Sequence, residues 1–391
     1  MVNRGKSHGF EFATATRIIF GPGAISQAAP LAKEFGRHAL VATGRDATRA
    51  KRLLDALREL EVRAVPFAVD GEPDLEAVRQ GVALARRERC DLVIGFGGGS
   101  ALDAGKAIAA MLTNDGDVLD YLEVIGGGKP LARSPAPLLA IPTTAGTGAE
   151  VTRNAVLASP EHRLKVSLRS PLMLPKVALV DPELTWDLPP ALTASTGLDA
   201  LTQLVEPYVC SRANPMTDGL CVEGMRRAAR SLRAAFENGR NAAAREDMAL
   251  ASLFGGLALA NAGLGAVHGL AAVIGGMFGA PHGAICAALL PRVMAANLAA
   301  LRSRDSSNPA LPRYEEVARL VTGRSSALAD DGVAWVARLV SDLQIPRLGS
   351  YGLESQHTAD LVEKSKNASS MKANPMVLTS EELAVVVEEA I

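Results

Sequence analysis

The chain has 391 residues, which is enough for two domains with sizeable cores. Hydrophobic residues make up 48% and charged residues 21% of it, a balance typical of a globular rather than a disordered protein. The formal net charge is −1, and no basic stripe is interleaved with aromatic residues, so the sequence predicts no nucleic-acid partner.

The first half of the chain alternates strand-like and helix-like segments. Short apolar runs bounded by Gly, Pro or Thr predict buried strands at 38–43, 91–97, 136–144 and 176–182. The stretches between them predict helices at 46–60, 74–88 and 100–114. Strands and helices in alternation indicate a mainly parallel sheet with helices packed on it.

From about residue 185 onward the strand signal disappears. Helices are predicted at 192–210, 214–235, 241–264, 283–303, 312–322 and 328–344. We therefore predict an α/β dinucleotide-binding domain over 1–185 and an all-helical metal and substrate domain over 186–391. Between Asp247 and Arg292 there is no Asp, Glu, Lys or Arg, a length that could suit a membrane span. Its nine glycines and its polar residues favour a buried helical core, and we expect no membrane contact.

The cysteines and the N-terminus bear on the compartment. The four cysteines lie far apart without a CxxC pair, which predicts reduced thiols; they are Cys90, Cys210, Cys221 and Cys286. The first residues, "MVNRGKSHGFEF", lack the apolar region of a secretory signal. The sequence therefore predicts a cytoplasmic protein.

A glycine run, "IGFGGGSALDAGKAIA" (94–109), follows a predicted strand and opens a predicted helix. Its spacing resembles the dinucleotide fingerprint, with Ser100 where the last glycine would be. Without side chains at Gly97, Gly98 and Gly99, a diphosphate could approach the backbone, and the dipole of the following helix would favour the anion. A tight strand–helix turn without a ligand would show the same pattern.

A second loop, "AIPTTAGTGAEVT" (140–152), also follows a predicted strand. Thr143, Thr144 and Thr147 could donate hydrogen bonds to the sugar and phosphates of a nucleotide. Ligands of open α/β sheets bind at the carboxyl ends of the strands, where both loops are expected. A plain loop of small and hydroxyl residues is the alternative interpretation.

The helical half contains candidate metal ligands. Asp199 and Gln203 lie four residues apart and therefore share one face of a helix. His268 and His282 would be about 21 Å apart in one continuous helix, whereas metal ligands bind at ~2.0–2.2 Å. A shared ion thus requires a turn, which residues between the histidines can supply: Gly275, Gly276, Gly279 and Pro281. Two core histidines and a surface Asp–Gln pair are the alternative.

The chain resembles the iron-containing alcohol dehydrogenase family, similar in fold to glycerol dehydrogenase and dehydroquinate synthase. Five ordered motifs carry the resemblance: "GGGSALDAGKAIA", "AIPTTAGTGAEVT", "VALVDPELT", "GLDALTQLVEPYV" and "GAVHGLAAVIGGMFGAPHGAICAALLP". The resemblance extends from "IIFGPGAI" (18–25) to "NPMVLTSEEL" (374–383) and so covers nearly the whole chain. It implies a nucleotide-binding α/β domain, a helical domain and an active site between them. It further implies NAD(P)(H), a divalent metal such as Fe²⁺ or Zn²⁺, a small alcohol or aldehyde substrate and a homodimer.

The resemblance implies one Asp and three His as metal ligands and catalytic centre. Asp199, His268 and His282 match three positions, but Gln203 stands where the family usually has His. A Gln carbonyl leaves the ligand charge unchanged and binds iron or zinc less well than imidazole, so the site is either retuned or has lost its metal. Ala272 replaces a His that the family often places near the nicotinamide and that is proposed to relay a proton.

These departures keep other functions open. A catalytically altered or inactive nucleotide-binding descendant is one alternative. A metal-independent reductase of the maleylacetate reductase type, or a lyase of the dehydroquinate synthase type, would share the fold. Metal content and an aldehyde panel with both reduced cofactors would separate these classes.

The cofactor preference depends on the end of the strand at 38–43. Gly44 and Arg45 follow it where many NAD-using relatives place an Asp, which favours NADP(H) because a guanidinium can pair with a 2′-phosphate. Asp46 could still serve a 2′-hydroxyl. The resemblance also implies cofactor contacts for three further residues: Asp103, Val151 and Lys165. From the sequence alone, Lys165 is expected to be a surface cation.

Overall fold

A six-stranded parallel sheet forms the core of the first half of the molecule. The computed structural model describes residues 9–162 and 164–391. The strands are β1 (Arg17–Phe20), β2 (His38–Thr43), β3 (Arg63–Ala68), β4 (Leu92–Gly97), β5 (Leu138–Pro142), β6 (Asn154–Ser159), β7 (Leu164–Arg169) and β8 (Val177–Val180). The sheet has the order β1-β8-β5-β4-β2-β3, which confirms the predicted mainly parallel architecture.

Three helices of this half are close to their predicted positions: α2 (Lys51–Glu59), α3 (Leu75–Arg87) and α4 (Gly99–Thr113). A further helix, α1 (Ala28–Phe35), was not predicted. The chain before α2 forms a 3₁₀ turn, because the Asp46 carboxylate accepts the backbone N–H of Thr48. Apolar side chains from both faces of the sheet pack beneath these helices.

Besides α1, three strand features of this half are absent from the sequence prediction. The edge strands β1 and β3 were not predicted, and neither was the antiparallel hairpin of β6 and β7. β3 contains Pro66 and alternates in exposure, as expected at a sheet edge. The hairpin lies outside the sheet and packs against α4 and a helix of the second half.

The second half is helical. Its helices are α5 (Pro190–Val209), α6 (Pro215–Glu237), α7 (Ala242–Asn261), α8 (Ala266–Phe278), α9 (His282–Arg304), α10 (Ala310–Thr322), α11 (Ala329–Asp342), α12 (Thr358–Ser365) and α13 (Ser380–Ala390). The predicted helix start at Asn214 is confirmed, since its side chain accepts the backbone N–H of Thr217. The sequence prediction lacked α8, α12 and α13. The predicted domain border at residue 185 falls between β8 and α5.

The charge-free stretch of the sequence forms part of the helical core. By length and hydropathy, α9 could cross a membrane, but 78% of its apolar window is buried inside the protein. α7 and α8 pass the same test only as a pair, and they are bent by 98° at the break between them. A core helix that is surrounded by other helices explains the composition, as the sequence prediction proposed.

Glycines allow the two halves to approach closely. Gly148, in the loop after β5, has φ 59°, and a Cβ there would lie 2.5 Å from the Cα of Gly256 on α7. A Cβ on Gly146 of the same loop would lie 3.2 Å from the Cα of Thr196 on α5. These close contacts hold the loop after β5 against α7 and against α5, the helix that carries Asp199.

Candidate metal and cofactor site

The loops after β2, β4 and β5 meet at the carboxyl edge of the sheet. A Cβ on Gly97 would lie 3.3 Å from the backbone nitrogen of Gly44. A Cβ on Gly99 would lie 2.9 Å from the Oγ1 of Thr147. The Thr143 N–H donates to the Gly97 carbonyl at 2.9 Å. The predicted phosphate-binding loops are therefore neighbours, at a position where open sheets bind ligands.

The start of α4 offers donors to an anion. Gly98 is its N-cap residue, and no side chain of the described residues caps it. The first N–H groups of this long helix consequently lack a side-chain acceptor. Thr144 lies beside them, 3.4 Å from the position of a Cβ on Gly98. Ser100 follows within the first turn of the helix. This cradle fits a diphosphate, which would accept from the N–H groups.

Asp103 connects α4 to the hairpin. One carboxylate oxygen accepts the N–H of Val156 at 3.1 Å, and the other lies 2.8 Å from the Nζ of Lys106. Lys106 is buried and also donates to Thr152. Val151 is completely buried between the two halves, so its side chain contributes packing rather than an open surface. Both predicted cofactor residues therefore have structural contacts: Asp103 links α4 to the hairpin, and Val151 packs between the two halves.

Lys165 is not a surface cation, so that sequence expectation is wrong. Its side chain is only 6% exposed and pairs with Glu72 at 2.5 Å. Its Nζ would lie 2.4 Å from a Cβ on Gly275 of α8. The ammonium group therefore bridges the β7 strand, the segment after β3 and the helix that carries His268.

Arg45 and its neighbours sit at the exposed end of β2. The Arg45 Nε donates to the Asp70 carboxylate at 2.6 Å, and both side chains are largely exposed. The Asp46 carboxylate is engaged by Thr48, whose hydrogen bonds lower the pKa of Asp46. The sequence-based preference for NADP(H) rested on the Arg45 guanidinium, which in the structure is already paired with the Asp70 carboxylate.

Three helices bring the predicted metal ligands together. The Oδ1 of Asp199 on α5 lies 3.5 Å from the Nε2 of His268 on α8 and 3.7 Å from the Nε2 of His282 on α9. The required turn between the histidines is present: α8 ends at Phe278, and Gly279 with φ 64° reverses the chain. Gly275 and Gly276, by contrast, lie within α8.

The centre of this cluster contains an unpaired acidic oxygen. Asp199 is buried, and its Oδ1 accepts no hydrogen bond from the described residues. Burial alone would raise the pKa of Asp199, but His282 and His268 hold it below its usual value. Burial would lower the pKa of His268, yet Cys286, Asp199 and Glu206 raise it well above its usual value. The site is therefore suited to an added positive charge.

Glu206, to which the sequence analysis assigned no role, contacts the candidate ligand His268. Its Oε2 accepts from the Nδ1 of His268 at 2.6 Å, and its Oε1 accepts from the Val267 N–H at 2.7 Å. A carboxylate that accepts from Nδ1 fixes the orientation of the imidazole and leaves Nε2 facing Asp199. Histidines that bind metals are commonly held in this way by a hydrogen bond to their other ring nitrogen. Its place on the same helix, seven residues after Asp199, was the available signal.

Gln203 and Cys286 complete the surroundings. The Gln203 Nε2 donates to the second carboxylate oxygen of Asp199 at 3.1 Å. The Cys286 sulfur lies 3.6 Å from the Nε2 of His282. The possible ligand atoms of Asp199, His268, His282 and Cys286 all lie within 4.8 Å of one another. Carboxylate, imidazole and thiol groups at such distances fit a divalent cation.

Both halves of the chain match one family. Residues 15–182 match the model of iron-containing alcohol dehydrogenase, and residues 193–391 match the C-terminal model of the Fe-containing alcohol dehydrogenase family. The chain belongs to the iron-containing alcohol dehydrogenase family. The predicted family and fold class are confirmed, and the protein is an oxidoreductase of the alcohol dehydrogenase type.

Individual relatives cover this alcohol dehydrogenase almost completely. It is 37% identical to the 1,3-propanediol dehydrogenase of Klebsiella pneumoniae, over 97% of this chain and 98% of the relative. A crystal structure of 1,3-propanediol oxidoreductase matches with a TM-score of 0.91 and 34% identity, over 98% of this chain and all of that one. Sulfoacetaldehyde reductase from Bifidobacterium kashiwanohense in complex with NAD⁺ matches with a TM-score of 0.84 and 29% identity, covering 97% and 98%.

These relatives do not favour the alternatives of an inactive nucleotide-binding descendant or a metal-independent reductase. The geometry agrees, because Asp199, His268, His282 and Cys286 still lie within 4.8 Å of one another despite the departures Gln203 and Ala272. Ala272 lies one turn after His268 on α8, and its methyl group cannot carry a proton.

Proposed function

We propose that the protein catalyses reversible, metal-dependent hydride transfer between a small alcohol or aldehyde and NAD(P)(H). One observation carries this proposal: the buried Asp199 oxygen lacks a hydrogen bond from any described residue and faces two imidazoles. Such an arrangement is costly unless a cation completes it. The printed name of the Klebsiella relative, a 1,3-propanediol dehydrogenase, supports a small alcohol as the substrate.

The chain's own residues would prepare the site for its ligands. Asp199, His268 and His282 would hold the divalent metal, for which we propose Fe²⁺ or Zn²⁺. When bound, the metal supplies a Lewis acid for the substrate oxygen and the nicotinamide supplies hydride exchange. Glu206 keeps the imidazole of His268 in its orientation, and Gln203 fixes the Asp199 carboxylate.

The sheet-edge loops would position the cofactor. The N–H groups at the start of α4 would receive the diphosphate, and the threonines after β5 line the same edge. The NAD⁺ complex of the sulfoacetaldehyde reductase supports a nicotinamide dinucleotide for this fold. Because Ala272 cannot relay a proton, we infer that the proton leaves through water.

The choice between the two cofactors depends on one exposed ion pair. Arg45 supports NADPH through its guanidinium, whereas Asp70 neutralises that charge and would repel a 2′-phosphate. We therefore propose that both cofactors are used, and that the ratio of their kcat/KM values reports the strength of this pair.

We further propose a cytoplasmic homodimer. The four cysteines are free and buried, as expected in a reducing compartment. Among the described residues, β1 pairs only with β8, so its other edge is open to a second copy of the chain. Sedimentation equilibrium tests the dimer, and a monomer at micromolar concentration would contradict it.

An aldehyde and alcohol panel tests the proposed activity. The metal-loaded enzyme should turn over short-chain members with NADH or NADPH, and metal removal should abolish turnover. The panel should include 1,3-propanediol together with simple primary alcohols. Tight binding of metal and cofactor without turnover of any member would contradict the proposed function.

A further inference from the structure

The fourth position of the metal cluster has two candidate ligands. Gln203 occupies the place where the family usually has His, and Cys286 lies one turn after His282 on α9. Cys286 is fully buried within the helical core. The distances and hydrogen bonds around these two side chains distinguish them.

The sulfur of Cys286 is close enough to the other three groups to bind the same ion. Two atoms that each lie about 2.0–2.3 Å from one ion are at most about 4.6 Å apart, and such an ion can expand to a fifth ligand, which would be the substrate oxygen. Within the cluster, Asp199 Oδ1 is 3.5 Å from His268 and 3.7 Å from His282, and the Cys286 sulfur is 3.6 Å from His282. All four ligand atoms lie within 4.8 Å of one another, so one ion can reach them with small adjustments.

The amide of Gln203 is engaged with its neighbour. Its Nε2 donates to the second carboxylate oxygen of Asp199 and so orients that group. The Gln203 amide is thus used as a donor, while its Oε1 is buried and accepts no hydrogen bond from the described residues. Its Oε1 lies 3.6 Å from where a Cβ on Gly255 of α7 would be. Exchanging the amide oxygen and nitrogen would place two acceptor oxygens against each other at Asp199, which is repulsive.

We propose that Cys286, as a thiolate, is the fourth metal ligand, and that Gln203 holds Asp199 in position. This ligand assignment rests on the proposed function, which requires a metal in this cluster. One carboxylate and one thiolate balance the charge of a divalent ion. A Gln carbonyl in the same position would leave one positive charge uncompensated. The soft sulfur favours zinc or iron over magnesium or calcium.

Replacement of the metal by Co²⁺ tests the assignment without any substrate. The cobalt protein should show a thiolate-to-cobalt charge-transfer absorption in the near ultraviolet. Cys286→Ser should lose this absorption, whereas Gln203→Leu and Cys90→Ser should keep it. Cys90 is the matched control because its thiol is buried in the sheet domain, where burial raises its pKa to about 11.

Chelator competition provides a second readout. Cys286→Ser should weaken zinc binding by roughly 100-fold or more, because it removes a side chain that binds the metal directly. Gln203→Leu should weaken it by about ten-fold, as expected for a residue that orients a ligand. Circular dichroism and the thermal transition of each metal-free variant establish that it is folded.

Two results would overturn the assignment. In the first, the wild-type protein binds cobalt fully but lacks the charge-transfer absorption. In the second, the folded Cys286→Ser variant keeps that absorption. Turnover without the absorption would refute the ligand and leave the proposed function standing. The absorption in a protein that turns over no alcohol or aldehyde would refute the function and leave the ligand standing.

Discussion

Two buried aspartates in the helical half have opposite environments. Asp247 on α7 accepts from Arg227 and Arg230 at 2.7 Å and from Ser231 at 2.6 Å. Asp199 on α5 receives one amide hydrogen bond, and its other oxygen faces two imidazoles without accepting a bond from a described residue. A carboxylate whose partners all belong to the protein contributes to stability, whereas one with an unused oxygen is available to a ligand.

The largest effect on activity should come from Asp199→Asn. Loss of the acidic ligand removes several kcal/mol of Lewis-acid stabilisation, so kcat/KM should fall about 10³-fold or more. The metal-free variant should lose less stability than Asp247→Asn, because one oxygen of Asp199 accepts no hydrogen bond from a described residue. Steady-state kinetics and thermal unfolding without metal measure both. A loss of metal-free stability as large as that of Asp247→Asn would contradict the contrast between the two aspartates.

The opposite result is expected for Asp247→Asn. Breaking a fully buried ion pair costs about 3–5 kcal/mol, and the partial exposure of Arg230 lowers our expectation to about 2 kcal/mol. Denaturant unfolding measures this loss, while kcat/KM of the folded variant should stay within about two-fold of wild type, since Asp247 contacts no candidate ligand. A large loss of turnover without a loss of stability would contradict the structural role.

The same aspartate predicts a pH dependence. Burial would raise the pKa of Asp247, but Arg230, Ser231 and Arg227 hold it below its usual value. Its contribution is therefore present above the unfolded pKa of about 3.9 and is lost as the pH falls through the lower folded value. Below about pH 4 the stability difference between wild type and Asp247→Asn should shrink, which acid titration of the unfolding midpoint checks.

Glu206→Gln should have an intermediate effect. The amide keeps the shape of the side chain but removes the charge that fixes His268, so metal affinity should fall about 10- to 100-fold. Chelator competition measures the affinity. Glu316→Gln is a control on a different contact, because Glu316 accepts from Tyr208. Unchanged affinity in Glu206→Gln would show that the negative charge of Glu206 does not contribute to metal binding.

The smallest effect concerns an exposed carboxylate, Asp70. Its pair with Arg45 is worth under about 1 kcal/mol, so Asp70→Asn should raise the NADPH/NADH ratio of kcat/KM by about two- to five-fold. Arg45→Ala should lower the ratio, and the double variant should resemble Arg45→Ala. If Asp70→Asn has the same NADPH/NADH ratio of kcat/KM as the wild type, the Arg45–Asp70 pair does not influence the choice of cofactor.

Local patterns in the sequence predicted much of the fold. The runs that formed β2, β4, β5 and β8 are continuous and apolar, because both faces of these strands are covered. The edge strands β1 and β3 and the β6–β7 hairpin were missed, because partly exposed strands lack such runs. α8 was missed because its many small residues resemble a turn.

The sequence by itself determined that Asp199, His268 and His282 could act together only if the chain turned between the histidines, since helix rise and turn residues are local properties. Only the tertiary structure decided which further side chains face that group. The packing of α5, α8 and α9 aims Glu206 at His268 and brings Cys286 within 4.8 Å of Asp199 and His268, which lie on other helices. Such contacts depend on crossing angles and rotations between helices, which arise from packing across the whole core and have no signature in short segments of sequence.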